Sequence, residues 1–552
     1  MWKSALCTLL RVFFLSIFLI GATAFNATVL SAAGAATLDP IAFTDPLDFA
    51  VSHETAEAGD EINKFDPVED EVSADLLDPE VTPVVSTAVE VEHAARASNM
   101  IAPGAMTAAA DGEPPPLWLV IPFMLLLIMI ATGPLFYAHH WHHHYPKYSV
   151  GFGILVVAYY VFSHNTTPVF HAIQEYLSFI ALVASLFIAA SGIYLGINAK
   201  GTPFNNVLLL LAGSVIANVI ATTGAAMLFI RSYMRLNKGR LKAYHIVFFI
   251  FLVANIGGAL TPIGDPPLFL GFLRGVPFFW TLTHVWYIWL PTTLLLLLIF
   301  YVIDTRNKEG GNVPNPGESV ISIKGVKSFI WIAIIIVSVF IDPNVLPFVP
   351  NLYKEFHIPF GIREMIMFLV AFLAYKFADK ECFEKNEFSF EPIREVGWLF
   401  LGIFATMQPA LQLISDFAKE NADNLGVSVF YWGTGSLSGI LDNAPTYLNF
   451  LSASMGKFGL NVDDPEAVRQ FAEASAAHPE SWFYLQAISV AAVFFGALTY
   501  IGNAPNFMVK AIAEGNGVRT PSFFGYLARY SLPILIPVYF LLWLIVYSGY
   551  VL

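Results

Sequence analysis

Ala259-Leu260-Thr261-Pro262-Ile263-Gly264-Asp265-Pro266-Pro267-Leu268-Phe269 is echoed 238 residues later by Ala497-Leu498-Thr499-Tyr500-Ile501-Gly502-Asn503-Ala504-Pro505-Asn506-Phe507. Seven of the eleven positions are identical, where two unrelated apolar segments would share roughly one or two. Each copy sits inside a long apolar run, the kind of run that crosses a bilayer. Proline removes an amide donor and glycine weakens helix, so both spans are predicted to unwind at this motif. Unwound backbone at mid-membrane is tolerated only where it faces protein or water. A duplicated, paired break is therefore a site before it is a defect; a bare proline kink explains one break but not a matched set.

The rest of the 552-residue chain agrees with a membrane setting. It is 56% hydrophobic and only 13% charged, with 49 phenylalanines; soluble domains carry about 25% charged residues. The net charge of −14 belongs to one segment. Residues 25–113 hold 18 acidic side chains against Lys64 and Arg96, and everything beyond sums to zero. That segment lacks any sustained period and reads as an acidic, largely disordered extracytoplasmic tail. Before it, Lys3 and Arg11 precede the apolar run Val12–Ala22 and the small-residue site Ala22-Thr23-Ala24, so residues 1–24 read as a signal peptide. An uncleaved anchor helix is the alternative, and both place residue 25 outside the cytoplasm. Cys7 and Cys382 cannot build a disulfide framework. No Walker loop is present, which argues against an ATP-driven pump or another enzyme.

Spans are predicted near 117–136, 149–163, 175–197, 244–272 and 283–303, and again near 327–341, 362–378, 395–415, 483–511 and 523–548. Two apolar segments remain, 207–230 and 426–451. Residues 231–242, RSYMRLNKGRLK, carry five basic residues and no acidic one, so that loop is cytoplasmic. Counting from residue 25 puts residue 206 on the same side, so 207–230 must be a re-entrant hairpin. The same count makes 426–451 a hairpin entered from outside; Asp463, Asp464, Glu466, Glu473 and Glu480 outnumber Lys457 and Arg469 in the loop after it. The expected fold is an all-α polytopic membrane protein: two inverted repeats (114–303 and 327–552), each of five transmembrane helices plus one re-entrant hairpin, with broken helices at the midplane and a cytoplasmic linker at 304–326. Such inverted repeats mark secondary transporters.

Two carboxylates lie in the apolar blocks: Asp265 in the first broken span and Asp442 at the second hairpin tip. Intramembrane carboxylates are costly and functional by default. Helix capping is the competing role for each. Asn218, Thr222, Thr223 and Thr261 surround the first break with neutral oxygens. Asn443, Thr446, Thr499, Asn503 and Asn506 do so at the second. Oxygen donors suit a small hard cation, and each half could hold one site. Gly264, Pro266, Pro267, Pro445, Gly502 and Pro505 are the expected helix-break residues. No basic residue lies within a hairpin or break; Arg274 and Lys510 are nearer the ends. Two acidic groups without a basic one favour a cation over an anion. A carboxylate that either a proton or a metal ion neutralises gives cation/proton exchange directly. The run His139, His140, His142, His143 and His144 is expected in the first cytoplasmic loop, where a solvated loop competes with proton sensing or metal binding. His164, His171 and Glu175 are expected near an outer end, facing water.

The stretch Asn255–Trp280, NIGGALTPIGDPPLFLGFLRGVPFFW, with ATTGAAML before it and LDNAPTYLNF and TYIGNAPNFM after it, resembles the ion transporter superfamily. The likeness covers roughly residues 117–552 and is greatest to NhaD-type sodium/proton antiporters and the related citrate-transporter-like domain. It implies two inverted repeats with re-entrant hairpins, an elevator-like or rocking exchange, and a homodimer. Dicarboxylate symporters of that superfamily carry Ser-Asn-Thr at both hairpin tips. Here Ala221-Thr222-Thr223 and Asn443-Ala444-Pro445-Thr446 stand instead, which weakens the organic-anion reading. The expectation is thus a sodium (or lithium)/proton antiporter of a bacterial inner membrane, with no cofactor, no metal beyond the transported ion and no nucleic-acid partner. The alternatives are a sodium-coupled symporter of citrate or a small dicarboxylate, a more distant arsenite exporter, and a non-transporting membrane sensor.

Overall fold

A computed structural model of the protein describes residues 114–310, 320–343, 345–356 and 358–550. The signal peptide, the acidic tail and part of the 304–326 linker lie outside the described residues. The first half runs α1 (Ile121–Phe136), α2 (Ala138–Phe162), α3 (Thr167–Ser191), β1 (Tyr194–Ile197), α4 (Pro203–Leu236), α5 (Ala243–Leu252), α6 (Pro266–Arg274) and α7 (Trp280–Thr305). The second half runs β2 (Ile321–Lys324), α8 (Lys327–Val339), α9 (Ile362–Phe377), α10 (Glu391–Glu420), α11 (Val427–Ser438), α12 (Asn443–Lys457), α13 (Ser481–Phe495), α14 (Ala504–Gly515) and the continuous helical run α15 (Phe523–Val546). Among the described residues, eight helices are long and apolar enough to cross a bilayer. Long apolar helices satisfy every backbone group internally, which is what spanning hydrocarbon requires.

One of those eight, α4, does not span. Straight, its 34 residues would reach about 51 Å at 1.5 Å per residue. Instead its two ends meet: Asn206 Nδ2 donates to Asn237 Oδ1 at 2.8 Å, and Asn237 Nδ2 returns a bond at 2.7 Å. The helix folds back at Ile220 and Ala221, where φ/ψ are −118/18° and 63/158°. A positive φ is uncommon for a residue with a β-carbon, so Ala221 holds a strained turn beside Thr222. The feet of this hairpin are clamped to the end of α7. Asp304, fully buried, accepts from Arg240 Nη2 at 2.8 Å, Tyr244 OH at 2.6 Å and Asn206 Nδ2 at 2.9 Å. The second hairpin is α11, a turn at Gly439–Asp442, and α12. Phe430 near its entry packs its ring 6.3 Å from that of Phe450 on the returning arm.

The two broken spans share one backbone device. In the first, α5 and a short turn over Ile256–Leu260 lead to an unwound stretch before α6. In the second, α13 leads through Gly496–Leu498 to α14. Gly258 and Gly264 touch backbone to backbone: a β-carbon on Gly258 would stand 2.6 Å from Gly264 O. Gly496 and Gly502 repeat the contact, with a β-carbon on Gly502 standing 2.6 Å from Gly496 O. Pro266 and Pro505 fall in the first turns of α6 and α14, where a missing amide costs nothing. Pro445 does the same in α12. The prolines therefore restart helices, while the glycine contacts close the breaks.

Several expectations are corrected. The histidine run lies in the first two turns of α2, not in a loop, because only Tyr137 separates α1 from α2. The third span begins at Thr167 rather than 175 and ends at Ser191. Its last predicted residues form β1, which pairs antiparallel with β2 from Tyr194↔Lys324 to Ile197↔Ile321. The expected linker therefore contains a strand, and the fold carries a small two-stranded sheet beside its helices. Glu175 does not face water. It pairs with Arg274, which also binds Asp463.

Candidate functional site

Asp265 opens α6 and is 1% exposed. An isolated buried carboxylate is strongly disfavoured, so its partners decide whether it can stay charged. It has three. Oδ1 accepts from Thr222 Oγ1 at 2.8 Å and from Asn503 Nδ2 at 2.8 Å, and Oδ2 accepts from Asn443 Nδ2 at 2.6 Å. These donors come from the first hairpin tip, the second break and the second hairpin. Four interruptions that are far apart in sequence thus meet on one carboxylate. Asp265 occupies an N-cap position yet makes no side-chain cap bond; its oxygens are spent on the other three elements.

The backbone aligns these donors. At the first hairpin tip, Thr222 N donates to Gly264 O at 2.8 Å; at the second, Asn443 N donates to Gly502 O at 3.2 Å. Each tip is thereby pinned one residue away from Asp265 or Asn503. Asn503 is steadied further by a bond from its Nδ2 to Ala254 O at 3.1 Å. With their amide nitrogens turned to an acceptor, Asn443 and Asn503 leave their Oδ1 atoms buried and without a partner. A carboxylate beside two free amide oxygens is an oxygen-only donor set of the kind that hard cations take. Among the described residues, no group of three or more His, Cys, Asp or Glu side chains is gathered to hold a metal.

The other predicted residues have different places. Asp442 is 9% exposed, and its Oδ1 accepts from Ala444 N at 3.0 Å: it caps α12. Thr446 Oγ1 donates back to Asp442 O at 2.9 Å. Asn218 stitches the first hairpin to the first break, donating to Gly257 O at 2.6 Å and accepting from Leu260 N at 2.8 Å. Thr261 Oγ1 donates to Asn218 O at 2.6 Å. Thr499 Oγ1 accepts from Ile501 N at 3.1 Å and Gly502 N at 3.2 Å, shaping the second break. Thr223 lines a small cavity with Asp265, Phe179, Ile220, Pro262 and Phe269. Its volume is ≈ 20 Å³, against roughly 10–15 Å³ for one water on the same measure. No Lys or Arg lines it. The basic residues toward the ends of the two broken spans are committed elsewhere: Arg274 to Glu175 and Asp463, and Lys510 to Glu514 at 2.7 Å.

A family model whose description reads "Putative citrate transport" matches residues 112–547, most of the chain. The chain belongs to that family. It is a multi-pass membrane transporter, and the convergence on Asp265 lies inside the matched region. No curated protein matches the chain. One residue of this transporter escaped the sequence reading. Asn255, fully buried, donates from Nδ2 to Asn506 Oδ1 at 2.7 Å and so joins the first broken span to the second. Asn506 in turn donates to Gly496 O at 2.8 Å and Thr499 O at 2.9 Å. Asn255 precedes Ala259, the first position of the duplicated motif, and lies outside the matched stretch, so the repeat itself gave no signal for it.

Proposed function

We propose that this transporter exchanges sodium or lithium for protons at a single site centred on Asp265, the two ions competing for one carboxylate. The observation that carries the reading is the company Asp265 keeps: three neutral donors from three separate elements, two of them with free oxygens, and no basic side chain. A cavity with room for about one water-sized guest fits a dehydrated cation and not a tricarboxylate. We further read the two halves as inverted repeats. The matched tip-to-break bonds of Thr222 and Asn443 and the matched glycine contacts support that reading. The likeness to NhaD-type antiporters is part of the same proposal. So are a homodimer, a bacterial inner membrane and the lack of enzymatic activity. The expectation of two sites, one per half, gives way here to one shared site, because the side-chain amides of Asn443 and Asn503 in the second half donate to Asp265.

A second reading has one observation in its favour, the citrate description of the family. In it the Asp265 cluster holds a coupling sodium ion and an organic anion binds beside it. Reconstituted transporter separates the two. Lumenal pH is followed while sodium, lithium, potassium or citrate is added. Sodium-evoked proton movement that vanishes in Asp265→Asn supports exchange. Citrate-dependent sodium uptake without proton flux sinks it in favour of the symporter.

A further inference from the structure

His139, His140, His142, His143 and His144 take no part in the hydrogen bonds around Asp265. They fill the first two turns of α2, directly after the non-helical Tyr137 (φ −143°, ψ 46°) that separates it from α1. Side chains four apart share one face of a helix, which sorts four of the five into two pairs. The His139 and His143 rings lie 4.8 Å apart, and the His140 and His144 rings 4.4 Å apart.

The backbone settles which nitrogens are free. His143 Nδ1 lies 2.8 Å from His139 O, and His144 Nδ1 lies 3.0 Å from His140 O. A carbonyl oxygen can only accept, so each Nδ1 carries the proton and each Nε2 offers a lone pair. Metal-bound histidines are held this way, the second ring nitrogen donating to a backbone carbonyl. The pairs then differ. His140 Nε2 is engaged by Tyr148 OH at 2.8 Å, while His139 and His143 Nε2 have no such competitor among the described residues. Both His139 and His143 are exposed, and a run of five histidines is costly in hydrocarbon and so belongs in water.

We propose that His139 and His143 form a two-histidine chelate for a transition-metal dication such as Zn²⁺, Ni²⁺ or Cu²⁺, with water completing the coordination shell. Imidazole nitrogens suit these ions, whereas Ca²⁺ and Mg²⁺ require oxygens. The chelate bridges the first turn of α2 at its joint with α1, so a bound ion fixes that turn.

The test uses the full chain without an affinity tag, stripped with chelator and titrated with ZnCl₂ by calorimetry. Saturable binding is expected. It should weaken at least about tenfold in the double variant His139→Ala/His143→Ala and stay within about twofold in His140→Ala/His144→Ala, since loss of a ligand costs at least as much as loss of a ligand's support. Cu²⁺ bound to the unmodified chain should show nitrogen couplings from two imidazoles in its electron paramagnetic resonance spectrum. All four positions lie on the rim of a helix, and an unchanged size-exclusion profile certifies folding. Three results overturn the proposal: no saturable Zn²⁺ binding, equal losses from the two double variants, or a Zn²⁺ site that disappears in Asp265→Asn.

Discussion

The two broken spans share a backbone device, and of the four motif positions at which they differ one sets the charge. Gly258–Gly264 and Gly496–Gly502 make the same close contact, and each break receives an amide bond from its hairpin tip. Yet the first break presents a carboxylate at Asp265 where the second presents an amide at Asn503, and the two side chains bond each other at 2.8 Å. Duplication supplies the frame; the divergence of one residue puts a carboxyl group at its centre and turns the second break into a supporter of the first. The hairpin tips diverge in the same sense. Thr222 and Asn443 both serve Asp265, and the extra carboxylate at Asp442 is drawn off to cap a helix.

That comparison can be broken most forcefully with Asp265→Asn, which makes the two breaks alike. Cation-coupled proton flux in proteoliposomes should fall to background, because two neighbouring amides carry no charge to exchange. Retained flux would remove Asp265 from the centre of the mechanism. The exchange Asp265→Asn/Asn503→Asp moves the charge across one hydrogen bond. If the site is shared, this double variant recovers measurable flux over Asp265→Asn alone; no recovery means that the first break is special beyond its charge. Asn443→Ala removes a charge-assisted bond worth about 1.5–3 kcal/mol, so the apparent sodium affinity should drop about tenfold to a hundredfold. A smaller change would make Asn443 a spacer. The least effect is expected at Asp442. Asn caps as well as Asp, so Asp442→Asn should leave both melting temperature and flux near wild type, while Asp442→Ala loses about 1 kcal/mol of stability. Abolished flux in a well-folded Asp442→Asn would restore a second site.

Much of this frame was legible in the letters. The five basic residues of 231–242 forced α4 to be a hairpin, and the bonds between Asn206 and Asn237 close it. The duplicated motif located both breaks. What the letters hid was pairing. Symmetry suggested that each carboxylate would gather the neutral oxygens of its own half, whereas Asn443 and Asn503 cross to Asp265. Nothing in a linear pattern separates a carboxylate that caps from one that is surrounded. The β1–β2 pair was missed because four-residue strands at the ends of apolar runs look like helix termini. Glu175 looks solvated in the sequence because its partner, Arg274, is 99 residues away.

The Asp304 clamp and the Asp265 cluster hold the same hairpin by opposite means. At its feet, α4 is tied through a guanidinium that never gives up its charge, so that end behaves as a fixed pivot. At its tip, Thr222 hangs on a carboxylate that can only accept. Add a proton to Asp265, and one oxygen becomes a donor facing donors; one of the three contacts must turn round or let go. Under the proposed exchange the proton is then a key as well as a cargo, and the first hairpin is a lever whose latch it works.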